Sequence, residues 1–196
     1  MNVTFILYSI IAAVIAITIH GFVKALISSS LGDPLPKRDK RVTLNPIAHI
    51  EPIGLVFMVA FGFGWSKPVE TATIYYKDRQ KGTLLTYTIP SVACLLFGIV
   101  VYTVMTAFVH SFEVRQLLLT IALFNMRLAL FNVIPVYPLD GAKVLSVFRS
   151  PNQVITMANS QTFMQLILVI AIFLGFVGRI INPIISVIFA FIMQIF

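Results

Sequence analysis

Residues 17–26, ITIHGFVKAL, set His20 and Lys24 one helical turn apart inside an apolar run over about residues 4–31. At that spacing both side chains leave one face of a helix, with Thr18 and Ser28 near the same face. Ionisable groups within an apolar span are costly to place in lipid, so by default they mark a site. The run lacks the basic start of a secretory signal and is too long for a cleaved one. It therefore reads as a retained span.

The rest of the chain agrees with a membrane setting. Of 196 residues, 59% are hydrophobic and only 11% charged, and the mean hydropathy is +0.97. Soluble domains carry about a quarter charged residues, so this composition describes an integral membrane protein. The net charge of +7 has a topological explanation. Ten of the fourteen basic residues fall in three loops: Lys37, Arg38, Lys40 and Arg41; Lys67, Lys77, Arg79 and Lys81; Lys143 and Arg149. The positive-inside rule assigns such loops to the cytoplasm, so nucleic acid is not an expected partner. The single cysteine, Cys94, excludes an intramolecular disulfide and a multi-thiolate metal cage, and reads as a packing residue.

Further apolar segments cover about residues 50–64, 83–109, 115–134, 155–178 and 182–196. A crossing helix needs roughly 20 apolar residues, which the first, third, fourth and fifth segments supply. The second is short, interrupted by Gly54, Gly62 and Gly64, and flanked by basic loops on both sides. A crossing there would put like-charged loops in opposite compartments, so a re-entrant or interfacial element is expected. The last segment is marginal in length. RVTLN, residues 41–45, has strand-like alternation, and residues 67–82 read as short strands or an interfacial stretch. The expectation is one all-α polytopic membrane domain over residues 1–196. It would have about four to six transmembrane helices and a short re-entrant, β-containing loop region, with the amino terminus outside.

Two more stretches carry polar groups at depth. NVIPVYPLDG, residues 132–141, follows the fourth span; two prolines stop the helix and Asp140 lies beyond them. Arg127 lies deep within LFNMRLALF, where a charge costs at least about 2.5–3.5 kcal/mol on insertion scales.

At these residues the chain resembles the site-2 protease family of intramembrane zinc metalloproteases, in its short bacterial branch. The family's His-Glu-x-x-His motif and its Gly-Asp-Pro turn are matched by HGFVK (20–24) and LGDPLPKR (31–38). NPIAHIEPIG (45–54) and GWSKPV (64–69) match two further elements. The loop that carries the third zinc ligand is matched by Asn132, Pro135, Pro138, Leu139, Asp140 and Gly141. The order is collinear over nearly the whole chain, and a bacterial plasma membrane is the location it implies.

The resemblance implies zinc-assisted hydrolysis of a peptide bond. Two histidines and a carboxylate would hold the metal, and a glutamate would act as general base. Here His20 and Asp140 keep the first and third ligand positions, Lys24 replaces the second ligand, and Gly21 replaces the base. Glycine accepts no proton, and an ammonium has donors but no lone pair. In IPSVA (89–93), Pro90 matches the family but Ala93 stands at an asparagine position. The expectation is a pseudoprotease that needs no cofactor, in which the Lys24 ammonium takes the place of zinc beside Asp140 and hydrogen-bonds a neutral His20.

Other readings stay open from sequence. His20 can be a core histidine bonded to a backbone carbonyl, and Lys24 can snorkel towards headgroups. Asp140 can cap a helix beginning near Ala142. His49 and Glu51 are compatible with a second metal site, although the family's shape favours a structural loop. Three functions compete: a non-catalytic scaffold, regulatory or accessory subunit that binds another integral membrane protein; a zinc endopeptidase with an atypical ligand set; and an ion or proton conduit using His20, Lys24, Asp140 and Arg127.

Overall fold

The computed structural model describes residues 3–194, and among these every regular element is a helix. Nine α-helices follow one another: α1 (Val3–Ser30), α2 (Leu35–Arg38), α3 (Pro52–Phe61), α4 (Arg79–Phe108), α5 (Phe112–Val133), α6 (Asp140–Ser146), α7 (Pro151–Asn159), α8 (Gln161–Phe173) and α9 (Phe176–Met193). Four of them, α1, α4, α5 and α9, are long and apolar enough to cross a membrane. Counting α7 and α8 as one span bent by 56° makes five.

The centre is built by α1, α4 and α5. Ala12, Ala13, Ala16 and Ile17 of α1 pack on Ile121, Phe124 and Leu128 of α5. The alanines present almost no bulk, which lets the helix backbones approach closely, as lipid-embedded helices require for dispersion contact. Asp78 starts α4 by accepting from the Lys81 amide at 3.0 Å. Only residues 109–111 separate α4 from α5, so the two are sequential neighbours.

The second apolar segment enters this core and turns back. At 10 residues α3 rises about 15 Å, half of a hydrocarbon layer. Glu51 caps its start by accepting from the Gly54 amide at 2.5 Å. Gly62, with φ +78°, ends it in a left-handed conformation open to glycine. The chain then returns extended, and the Lys67 amide donates to the His49 carbonyl at 2.8 Å, closing the neck of a hairpin. Met58, fully buried, fixes the hairpin between α1 and α5.

Three expectations are corrected. RVTLN forms no strand: Thr43 accepts from the Asn45 amide, Asn45 caps the 3-10 turn Pro46–Ala48, and His49 takes the Thr43 carbonyl. Local side-chain bonds thus consume the groups a ladder would need. Residues 67–82 hold no strand either: 67–78 run without regular structure apart from a 3-10 turn at Thr73–Tyr75, and 79–82 are the first turn of α4. Finally, the expected span 155–178 is broken, at Ser160 and again at Leu174–Gly175, where Gly175 has φ +74°. Consequently α9 begins at Phe176 rather than near residue 182 and carries Pro183 in its interior. Residues 195–196 of the last expected segment lie outside the described residues.

Candidate functional site

The break after α5 brings Asp140 back to α1. Asp140 is the first residue of α6, so the helix starts two residues earlier than expected, and the carboxylate makes no cap bond. It faces α1 instead. Lys24 Nζ donates to Asp140 Oδ1 at 2.5 Å, and His20 Nε2 stands 3.2 Å from Asp140 Oδ2. All three side chains are buried: His20 is 1% exposed, Lys24 7% and Asp140 4%. Lys24 therefore does not snorkel. Its ammonium lies between the carboxylate and the face of Tyr87, 5.4 Å from the ring centroid, where a cation is also favoured. Burial by itself would push the Asp140 carboxyl up; the Lys24 ammonium and the His20 imidazole outweigh that and hold it below its ordinary value.

The expected hydrogen bond from Lys24 to His20 is absent. Both ring nitrogens of His20 and Asp140 Oδ2 have no aligned partner, so the 3.2 Å approach is a contact without hydrogen-bond geometry. Asn132 donates to the Leu128 carbonyl of its own helix at 2.9 Å and lines the cavity beside Asp140. That cavity, about 130 Å³, is walled by the returning segment Trp65–Val69 as well as by Lys24, Tyr87 and Asp140. A second, largely apolar cavity of about 300 Å³ adjoins it, shared through Tyr87 and Asn132 and extending to Phe148.

Gly21 also has a definite surrounding. A Cβ built there would collide with the His49 ring. His49 is fully buried, and its Nε2 lies 2.8 Å from the Thr43 carbonyl, which makes Nε2 the protonated nitrogen. Its Nδ1 is then a lone pair turned towards Gly21 with no partner. Burial pushes the His49 imidazole down from its ordinary value. Glu51 is held on the α3 amide and does not join His49.

A zinc centre of the kind the resemblance implies takes three protein donors around one point. His20 Nε2 and Asp140 Oδ2 present two free edges, while the place one turn beyond His20 holds an ammonium. Among the described residues no three His, Cys, Asp or Glu side chains gather as a metal site would need. The donor set is one short of that centre.

Arg127 does not join this cluster. Its Nε donates to Asn182 Oδ1 at 3.2 Å, and its guanidinium lies 5.5 Å from the Phe63 ring centroid, at the tip of the α3 hairpin. The sequence reading missed three residues here: His49 against Gly21, Tyr87 beneath Lys24, and Arg179, which shares a groove with Arg127. His49 reads from sequence as a loop histidine without its contact to Gly21, and Arg179 left a signal as a charge between two apolar segments.

Comparison with known proteins gives a consistent picture. The sequence model for peptidase family M50 matches residues 3–177. A Bacillus subtilis (strain 168) protein named "Putative zinc metalloprotease YwhC" is 27% identical over 165 residues, covering 80% of this chain and 75% of that protein. No solved structure matches the chain.

Proposed function

Because the chain belongs to peptidase family M50, the site-2 protease family, we propose that it is a non-catalytic member. In this reading it keeps the membrane fold as a scaffold, regulatory or accessory subunit that binds another integral membrane protein. One observation carries the reading: the Lys24 ammonium rests on Asp140 where the family's second histidine would join it in holding zinc. A cation at that place repels a divalent metal and, unlike imidazole, offers it no electron pair.

The base position supports the same reading. At Gly21 no side chain can take a proton from water, and the His49 ring fills the space that a glutamate Cβ would enter. The described residues therefore supply a positive charge, a buried carboxylate and an extended wall at Trp65–Val69, but no glutamate beside His20. Such a site can hold a peptide or helix without cutting it. Family membership favours placement in a bacterial plasma membrane, and the basic loops favour an orientation with the amino terminus outside and those loops in the cytoplasm.

The free edges of His20 and Asp140 favour a second reading, a metallopeptidase whose ligands are His20, Asp140 and water. Metal analysis of the purified protein, together with a cleavage assay on single-span substrates, decides between them. Substoichiometric zinc and no cleavage are expected. One zinc per chain, with cleavage that chelation abolishes, overturns the non-catalytic reading.

A further inference from the structure

Two guanidiniums line a groove that has no acid of its own. The groove, about 620 Å³, opens between the tip of the α3 hairpin, α5 and the α8–α9 break, with Phe61, Phe63, Arg127, Phe173, Arg179 and Asn182 on its walls. It shares no lining residue with the cavities beside Asp140.

Every Asp and Glu side chain is engaged elsewhere or lies outside the groove. Asp140 holds Lys24, and Asp33 accepts from Ser28, Leu35 and Ala72. Asp39 pairs with Arg38, Asp78 and Glu51 cap helices, and Glu113 accepts from Tyr8. Glu70 is exposed on the segment leading to α4. Among the described residues neither Arg127 nor Arg179 is in any ion pair. Asn182 takes only one of the five N–H donors that a guanidinium carries.

The depth of the groove selects what can fill it. Arg127 stands six residues before the end of α5 and fifteen after its start, about 9 and 22 Å along the axis. Helical side chains tilt towards their own N-terminus, so this one leans away from the nearer end. Its contact with Asn182, six residues into α9, fits that depth. Lipid phosphates lie outside the hydrocarbon layer, whereas a helix can carry a carboxylate at any level. The α9 face offers room for one: Gly178 and Ser186 are small residues that let another helix come close, and Asn182 midway between them is a polar group that bonds across helices.

We propose that this groove docks a transmembrane helix of a partner membrane protein through one Asp or Glu at the level of Arg127. The proposal deepens the partner-binding reading above and rests on it only for the existence of a partner.

The full chain in phosphatidylcholine nanodiscs, titrated with a labelled Leu-Ala spanning peptide that bears one central Glu, tests it. A peptide with Leu at that place is the reference. The Glu peptide is expected to associate at least about tenfold more tightly, the low end for a desolvated charge pair. Arg127→Met and Arg179→Gln should each erode that preference, and Arg127→Lys should retain part of it. Arg179 is exposed in the first turn of α9, so its variant reads the groove without endangering the fold. Equal affinity for the two peptides overturns the proposal. It is also overturned if spin-labelled phosphatidylglycerol is immobilised through both arginines and excludes the Glu peptide, because the occupant is then a lipid phosphate. Bound zinc with hydrolysis would instead overturn the non-catalytic reading and leave this groove untouched.

Discussion

Lys24 and Asp140 meet across 116 residues of chain, and neither is at ease there alone. Removing one partner of a buried pair leaves an uncompensated charge, so Lys24→Met should cost about 3–5 kcal/mol of stability. Lys24→Met combined with Asp140→Asn should cost less than Lys24→Met alone, measured as thermal midpoints in detergent; additive losses would show that the two groups act separately. At Gly21 the physics is steric. Gly21→Ala forces the new methyl against the His49 ring, with an expected loss of about 1–3 kcal/mol, and His49→Gly in the same chain should recover part of it. The three residues of the Asp140 cluster were legible in sequence because their types are rare in apolar runs and because they stand at family positions. His49 on Gly21 was not: nothing in local spacing reports a contact between a helix and a loop that folds back on it.

At the scale of elements, the α3 hairpin depends on its neck. His49 must stay neutral there, since burial disfavours the charged ring and its protonated nitrogen already serves Thr43. Its folded value lies below the unfolded value of about 6.5, so below that pH the unfolded chain binds more protons. Stability should be full above about pH 6.5 and fall as the pH drops towards the folded value, and His49→Gln should flatten that acid limb in a melting series. Removing the α3 cap by Glu51→Ala should cost about 0.5–2 kcal/mol in the same assay. Helices α1, α4 and α5 were visible as long apolar runs. The loops misled because β-branched alternation at residues 41–45 is outcompeted by Asx and Thr side-chain bonds. The broken α7–α8–α9 segment misled because hydropathy averages over a left-handed glycine such as Gly175 without detecting it.

For the whole molecule, family membership and a membrane-spanning helical fold were both readable, since composition and collinear motifs act over the full length. In the non-catalytic reading, the exclusion of a metal turns on one side chain. Lys24→His would put an imidazole one turn beyond His20, opposite Asp140, and complete a three-donor set. That variant should bind about one zinc per chain by elemental analysis, against substoichiometric zinc for the parent protein. If the variant stays as metal-poor as its parent, packing rather than charge excludes the ion.

The hairpin of residues 49–67 also constrains the order in which the protein can be made. Its descending limb rests on α1, but Met58 also needs α5, which a ribosome delivers some fifty residues later. Until then, the extended backbone after Gly64 would meet acyl chains with its amides unpaired, so the segment must wait at the bilayer surface. A Met58→Cys, Cys94→Ala chain halted before Phe112 should react with a water-soluble thiol reagent, and the full-length chain should be protected. Equal protection in both would mean that α1 and α4 suffice to draw the hairpin in.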